Sequence, residues 1–283
     1  MRSYRIGGLH VAVSGLRLGQ VLDRMPGMGA FADNRLSHFD LWVNERNNIE
    51  MPKAHEIFHF ELAEGRGWCT MLADEAGNPA YRFDSGSLLL YERSQSGNVF
   101  LNWCSDLSEL RYMLWLAYAH KALDYAAVPV HASVVVWQGR AVLCLGESGT
   151  GKSTHTRLWL ENVPGAFLLN DDSPIVRVEH DGVWAYGSPW SGKTPCFKQE
   201  RYPVAAFVRL SQAPYNEIKQ LPTVQSFVAL QPSCPPTLAH DERCVDRVVG
   251  ILGGILDKVP VYRLECLPDA EAALLCSNTI FSH

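Results

Sequence analysis

The feature that most constrains this chain is an eight-residue loop at positions 146–153, with the sequence GESGTGKS. The loop lies between an apolar segment (141–145) and a segment with helical spacing (154–161). Glycines let successive backbone N–H groups turn toward one point, and a following helix adds the positive end of its dipole there. The pattern therefore predicts a strand, a phosphate-binding loop (a P-loop, or Walker A motif) and a helix in succession.

The residue types in this loop each have a chemical reason to be there. Lys152 is expected to reach the β- and γ-phosphates of a nucleotide, and Ser153 to offer a hydroxyl ligand to Mg²⁺. The alternative is a glycine-rich turn without a nucleotide, which the strand–loop–helix context disfavours. The predicted nucleotide-binding residues are Gly146, Glu147, Ser148, Gly149, Thr150, Gly151, Lys152, Ser153 and Thr154.

Two adjacent carboxylates follow the predicted helix. Asp171 and Asp172 come directly after an apolar segment (166–169), and Asp171 is 19 residues beyond Lys152. We expect that segment to be a strand beside the P-loop strand, which brings both carboxylates to the loop. One would hold Mg²⁺ and the other accept a proton from an attacking hydroxyl, and the order of the two roles is open. The alternative is an Asx turn at the strand end.

A histidine lies 15 residues before the loop, at position 131. If segments 131–137 and 141–145 form a hairpin through residues 138–140, His131 returns to the level of the P-loop. An imidazole there can bond an aspartate or a phosphate. The alternative is a strand histidine bonded to the backbone.

Three further residues are candidates for contact with a second substrate. Ser191 and Lys193 lie in the loop 187–194, which combines glycines, hydroxyls, an indole and a cation. Arg209 follows and could stabilise negative charge near the γ-phosphate. The alternatives are an ordinary surface loop and a solvated charge.

The first hundred residues have a different pattern. Short runs alternate apolar and polar residues between Gly, Asn and Asp breaks, and a helical spacing follows at 106–126, with Ser105 or Asp106 as its cap. We therefore predict a β-rich N-terminal module with a linker helix at 1–126 and a P-loop domain at 127–283. The predicted strands of the module are 4–6, 9–13, 39–43, 57–62, 69–72, 88–91 and 99–103.

The rest of the second domain is predicted as mixed strands and helices. An Asp-Gly pair between segments 176–178 and 183–186 indicates a hairpin. Residues 231–236 are proline-rich and predict a loop. The other predicted elements are strands at 204–210, 217–221 and 261–264 and helices at 241–256 and 269–276, the last capped by Asp269.

Composition excludes several classes of protein. Lys plus Arg is 25 and Asp plus Glu is 30, a net charge of −5, so no basic surface for nucleic acid or an anionic membrane is expected. The longest apolar stretch, 248–256, is too short to span a bilayer, and the first residues lack the apolar core of a signal peptide. Eight scattered cysteines without a CxxC pair predict a reducing, cytoplasmic location.

The residues from about 130 to 281 resemble the catalytic domain of HPr kinase/phosphorylase and, more distantly, ATP-dependent phosphoenolpyruvate carboxykinase. The resemblance rests on His131-Ala132-Ser133, on the loop 146–153 and on Asp171-Asp172. It implies an α/β P-loop domain of that type, with Lys152 on the phosphates and Ser153 as metal ligand. Asp171 and Asp172 become the base and metal pair, and His131 contacts them.

The expected activity is that of an ATP- and Mg²⁺-dependent phosphotransferase. Its acceptor would be a hydroxyl of a protein, a peptide or a small metabolite, and the resemblance leaves a homo-oligomer open. One alternative is a regulator that binds a nucleotide without catalysis. The other is an activity like that of phosphoenolpyruvate carboxykinase.

Overall fold

The computed structural model describes residues 1–34, 37–62, 65–93, 97–192 and 194–282. The chain divides into two compact units, Met1–Asp124 with Thr237–Val245 and Tyr125–Pro236 with Asp246–His283. The boundary lies two residues earlier than the sequence predicted. Nine residues that the sequence predicts within the second domain, 237–245, group with the first unit, where Leu238 is buried.

The first unit is built on one nine-stranded sheet with the order β3-β1-β2-β4-β9-β8-β7-β6-β5. Its neighbours are antiparallel except for the parallel pairs β2–β4 and β4–β9. The strands are β1 (Arg2–Ile6), β2 (Leu9–Ser14), β3 (Ala32–Asp33), β4 (Leu41–Arg46), β5 (Ala54–Glu61), β6 (Trp68–Asp74), β7 (Pro79–Phe83), β8 (Leu88–Glu92) and β9 (Asn98–Asn102). The seven predicted strands all appear; β3 and β7 were not predicted.

Two α-helices accompany this sheet, α1 (Leu16–Leu22) and α2 (Leu107–Ala122). Asp106 caps α2 as predicted, because its Oδ1 accepts hydrogen bonds from the backbone N–H groups of Ser108 (2.7 Å) and Glu109 (3.2 Å). The Tyr118 hydroxyl of α2 donates to the carbonyl of Ile6 in β1 at 3.0 Å. The helix is thereby fixed against the sheet by a buried hydrogen bond as well as by its apolar side chains.

The second unit contains the other nine-stranded sheet, which follows the path β10-β14-β15-β16-β12-β11-β13, with β18 beside β16 and β17 beside β18. The strands are β10 (Ala127–Pro129), β11 (Ala132–Trp137), β12 (Arg140–Leu145), β13 (Phe167–Asp172), β14 (Ile175–Glu179), β15 (Gly182–Tyr186), β16 (Arg201–Gln212), β17 (Glu217–Gln220) and β18 (Val261–Cys266). The helices are α3 (Lys152–Asn162), α4 (Thr223–Leu230), α5 (Glu242–Leu256), which begins in the first unit, and α6 (Ala270–Phe281).

Strands β11 and β12 form the predicted hairpin. Its two-residue turn, Gln138 and Gly139, has positive φ at both positions (49° and 73°), as a type I′ turn requires. The prediction that β13 lies directly beside the P-loop strand is wrong: β13 pairs with β11. The tight hairpin places β11 next to β12, so the chain returning from α3 adds β13 on the far side of β11.

The register brings three strand ends to one edge of this sheet. Ala132, the first residue of β11, pairs with Leu145 at the end of β12 and with Asp172 at the end of β13. Leu145 also pairs with Arg209 of the parallel strand β16. The P-loop, the carboxylate pair and Arg209 therefore start from the same edge.

The core of the second unit lies between the sheet and helices α3 and α6. Trp159 of α3 and Cys276 of α6 are fully buried there, together with Val142, Val208 and Leu264 of the sheet. Burying each such side chain stabilises the fold by about 1.5–3 kcal/mol. None of the helices in the described part of the chain is long and apolar enough to cross a membrane.

The remaining predictions for this unit hold in outline. Helices α5 and α6 occupy the predicted segments, and Asp269 caps α6 by accepting from the N–H of Ala272 at 2.9 Å. Helix α4 was not predicted, and the segment 231–236 predicted as a loop includes a 3₁₀ turn at Gln231–Ser233. An eight-residue helix directly before a proline-rich segment gives too short a periodic pattern to be recognised.

Candidate functional site

The glycine-rich loop 146–153, which the sequence predicts to be a P-loop, connects β12 to α3. Gly149 and Gly151 have φ values of +82° and +109°, a backbone conformation that residues with a Cβ rarely adopt. A Cβ at either position would have no atom within 4 Å, so glycine is needed for the backbone conformation and not for space. Gly151 directly precedes α3, and the loop therefore ends at a helix N-terminus, where backbone N–H groups are free to bind an anion.

Lys152 is held over this loop. Its Nζ donates to the carbonyls of Gly146 (2.8 Å) and Glu147 (3.1 Å), and the residue is 9% exposed. Burial lowers the pKa of Lys152 below its ordinary value. A cation is thus fixed at the point where the glycine backbone and the start of α3 meet.

Asp171 lies directly opposite the first turn of α3. Its Oδ1 accepts a hydrogen bond from the Ser153 hydroxyl at 3.0 Å, and its Oδ2 accepts from the backbone N–H of Thr194 at 3.3 Å. Asp171 is buried, whereas Ser153 is exposed. Two groups that can bind a metal ion through oxygen therefore lie side by side. The Asp171 carboxylate is held through both of its oxygens, and the Ser153 hydroxyl is open to solvent.

Asp172 is placed differently from its neighbour. Its side chain is 47% exposed, and its Oδ1 lies 3.6 Å from His131 Nε2. Its φ of +147° is outside the regions that a non-glycine residue ordinarily adopts. Backbone strain of this kind costs about 1–3 kcal/mol and occurs preferentially at functional sites.

His131 faces this carboxylate from the start of β11. Burial and, next, the nearby Lys152 ammonium lower the pKa of His131. The imidazole is therefore neutral at neutral pH, and its 3.6 Å approach to Asp172 is a polar contact and not an ion pair. The backbone N–H of His131 donates to the carbonyl of Ser233 at 2.7 Å, which fixes where the residue stands.

The loop after β15 supports the carboxylate pair. The N–H of Gly192 donates to the Asp171 carbonyl, and a Cβ on Gly192 would come within 2.9 Å of that oxygen and 3.1 Å of the Asp172 Cβ. Ser191, a predicted substrate contact, uses its hydroxyl to donate to the Thr194 carbonyl at 2.7 Å and thus shapes the loop. Lys193, predicted with it, lies outside the described residues.

Arg209, the third predicted substrate contact, reaches the P-loop. Its Nη2 lies 2.7 Å from Glu147 Oε1, and this hydrogen bond lowers the pKa of Glu147. Glu147 is largely exposed and Arg209 is mostly covered. The ion pair thus holds a guanidinium at the sheet edge and next to the loop.

The other predicted loop residues have smaller parts. Thr150 donates from its hydroxyl to the Glu147 carbonyl at 2.8 Å, closing the loop on itself. Ser148 is exposed, and Thr154 is half-buried in the first turn of α3. Sequence reasoning did not single out Gly192 and Thr194, whose only signal was their place in the loop 187–194, Gly-Ser-Pro-Trp-Ser-Gly-Lys-Thr.

The arrangement can bind an anion, hold a divalent cation and accept a proton within one edge of a sheet. Compared with protein-family models and with curated protein sequences, the chain has no match.

Proposed function

We propose that this chain is an ATP- and Mg²⁺-dependent kinase of the HPr kinase type, which transfers the γ-phosphoryl group to a hydroxyl of a protein, a peptide or a small metabolite. The observation that carries the proposal is the 3.0 Å contact of Ser153 with Asp171 at the end of a P-loop, with a second carboxylate next in sequence. A loop that only bound a nucleotide would not need that second carboxylate.

The Ser153–Asp171 pair fits the demands of Mg²⁺. This ion binds oxygens octahedrally at about 2.1 Å, so neighbouring ligands are about 3 Å apart. The two side-chain oxygens have that spacing, and one of them is exposed. When bound, Mg²⁺ would neutralise charge that develops on the β- and γ-phosphate oxygens.

The two aspartates support different roles. Both oxygens of Asp171 already have partners, Ser153 and the N–H of Thr194, which suits a fixed metal ligand. Asp172 is half-exposed, and its Oδ1 lies 3.6 Å from the neutral imidazole of His131. We therefore assign Asp172 as the base that takes the proton of the acceptor hydroxyl.

The transfer then balances without a further reactant. The acceptor oxygen forms a bond to the γ-phosphorus, the bond from that phosphorus to the β–γ bridging oxygen breaks, and the acceptor proton moves to Asp172. Lys152 and the backbone N–H groups of the loop stabilise the charge on the transferring group. His131 orients the Asp172 carboxylate and acts as a positioning residue.

The eight cysteines are all free thiols. Free thiols persist in a reducing compartment, so we place the kinase in the cytoplasm.

The proposal is tested with γ-labelled ATP, Mg²⁺, purified protein and a bacterial extract, whole or desalted, following the label. We expect transfer by the wild type and by the control Asp257→Asn, an exposed aspartate of the same unit. Asp172→Asn should lower the rate by about 10²–10⁴ while Mg²⁺–ATP binding persists. Asp171→Asn should weaken that binding as well.

Two outcomes would contradict the kinase proposal or the assignment of its base. If nucleotide binds tightly but all label stays in ATP with every extract fraction, the kinase proposal fails. The chain would then be a nucleotide-binding regulator. If Asp172→Asn transfers label at the wild-type rate, the assignment of the base fails.

A further inference from the structure

A second cluster of ligand-type side chains lies in the first unit, whereas the P-loop belongs to the second. His120 of α2, Asp241 directly before α5 and Cys244 of α5 are all buried, and their ligand atoms lie within 4.8 Å of one another. All three residues belong to the same compact unit. Sequence spacing gives no hint of the cluster, since more than a hundred residues separate His120 from the other two.

The spacing of two of these atoms suits zinc. His120 Nδ1 and Cys244 Sγ are 3.5 Å apart. Zinc binds sulfur at about 2.3 Å and imidazole nitrogen at about 2.0–2.1 Å in a tetrahedron, which puts two such ligands about 3.5 Å apart. A set of imidazole, thiolate and carboxylate selects Zn²⁺ and similar borderline metals, whereas Mg²⁺ prefers oxygen alone.

The surroundings of His120 prepare it as a ligand. Its Nε2 lies 2.6 Å from the Tyr81 hydroxyl, which leaves Nδ1 directed at the cluster. Metal-bound histidines are commonly oriented in this way by a hydrogen bond to their second nitrogen.

A positively charged side chain, the guanidinium of Arg93, lies in the same cluster. Arg93 donates from Nη2 to Asp241 Oδ2 and, at 3.5 Å, to Cys244 Sγ. Its side chain is 22% exposed, so an outward path to solvent exists. The guanidinium thus occupies the position between carboxylate and sulfur that a metal ion would take.

We propose that His120, Asp241 and Cys244 form a Zn²⁺ site in which the metal and the Arg93 guanidinium exchange. The charge balances in both states. Asp241 and Arg93 sum to zero without metal. With metal, Arg93 turns to solvent, the Cys244 thiol releases its proton to water, and Zn²⁺ is neutralised by one thiolate and one carboxylate. Water completes the tetrahedron. Holding both cations in the buried cluster would leave one charge uncompensated, which is costly.

The test uses the full chain, stripped with a chelator and titrated with Co²⁺, whose bond to a thiolate gives a near-ultraviolet charge-transfer band. We expect one equivalent to bind, the band to appear in the wild type and in Cys266→Ser, and the band to be lost in Cys244→Ser. Cys266 is the matched control, a partly exposed free thiol in the second unit.

Arg93→Met separates the proposal from a purely structural ion pair. Removing the competing cation should tighten Co²⁺ and Zn²⁺ binding by about tenfold or more, because the metal no longer displaces a buried charge. If neither the wild type nor folded Arg93→Met shows the Co²⁺–thiolate band at one equivalent of metal, the proposal is overturned and the cluster is an ion pair only. The titrations of the wild type and of Arg93→Met test the proposed metal site even if Cys244→Ser fails to fold.

Discussion

The two polar clusters of this protein are built in opposite ways. The groups at the P-loop edge stand on strand ends and loops, and His131 and Asp172 each expose almost half of their side chains. The groups around His120 are buried, and His120 and Tyr81 bond each other. A ligand can therefore reach the edge without disturbing the core, whereas a metal ion reaches His120 only when Arg93 moves. Substitutions at the edge should change activity, and substitutions in the interior should lower stability.

Lys152→Met should give the largest effect and tests the edge. Methionine keeps the packing of the side chain and removes the cation that we propose stabilises charge on the transferring phosphoryl group, so kcat/KM for ATP should fall by about 10³. The free energy of unfolding should change by less than about 1 kcal/mol, since burial already lowers the pKa of Lys152. Steady-state kinetics and urea unfolding measure the two quantities.

The control for this change is Arg157→Met, on the exposed side of the same helix. It should leave both activity and stability at wild-type values. If Lys152→Met unfolds the protein or leaves kcat/KM unchanged, the distinction between edge and interior does not hold.

The interior prediction compares His120 with His155, the two buried histidines of the described residues. The pKa of each is lowered to about 4 by burial. A histidine with a lowered pKa stabilises the fold fully above its ordinary value of about 6.5, and this stability is lost as pH falls toward 4. Each group thus accounts for up to about 3 kcal/mol lost on acidification.

The two histidines differ in their hydrogen bonds. His120 contacts both the Tyr81 hydroxyl and Cys244, while His155 accepts only from Trp159 Nε1 and its Nδ1 has no partner. His120→Leu should therefore cost about 2–4 kcal/mol at pH 7.5, and His155→Leu about 1 kcal/mol. Both variants should flatten the loss of stability between pH 7 and pH 5. Urea unfolding with a chelator present measures this; equal costs would show that the extra hydrogen bond is worth nothing.

What the sequence predicted depended on how local each feature is. The loop 146–153 and its flanking strand and helix lie within 23 consecutive residues, from 140 to 162, and each part is specified by its own pattern. The β11–β12 hairpin and the caps Asp106 and Asp269 are equally local, and all three predictions are confirmed. Turn and cap chemistry acts over two to four residues, so one sequence suffices to find it.

The features that sequence reasoning missed depend on contacts between distant segments. The place of β13 beside β11 depends on which side of the hairpin the chain returns to. The assignment of 237–245 to the first unit and the His120 cluster join segments more than a hundred residues apart. These features leave no periodic pattern and no characteristic residue spacing in the sequence, because tertiary packing determines which distant residues come into contact.

Gly192→Ala should have an intermediate effect and tests how rigidly the edge is held. The added Cβ would lie 2.9 Å from the Asp171 carbonyl and 3.1 Å from the Asp172 Cβ, so the backbone carrying both carboxylates must shift. A displacement near 1 Å at reacting groups costs about 10²-fold in rate, and we expect a loss of ten- to a hundredfold in kcat. The matched control is Gly250→Ala in α5, where a Cβ meets nothing within 4 Å and alanine should stabilise the helix by about 0.5–1 kcal/mol. Wild-type kcat in Gly192→Ala would mean that the loop moves freely.

The smallest effect is expected at the Glu147–Arg209 ion pair, which lies at the edge and is partly in solvent. Glu147 is 76% exposed, so the pair is worth only about 0–1 kcal/mol to the fold. Its carboxylate nevertheless holds a negative charge beside the loop that we propose binds phosphates. Glu147→Gln keeps the size of the side chain, removes that charge and releases Arg209, so KM for ATP should fall by about two- to fivefold with stability unchanged. Because both groups are accessible to ions, the gain should shrink as ionic strength rises from 0.05 to about 0.5 M.

Arg209→Gln should raise KM instead. If Glu147→Gln raises KM at low salt as Arg209→Gln does, the pair acts by holding the loop in shape, and the edge would then resemble the interior in depending on its internal contacts.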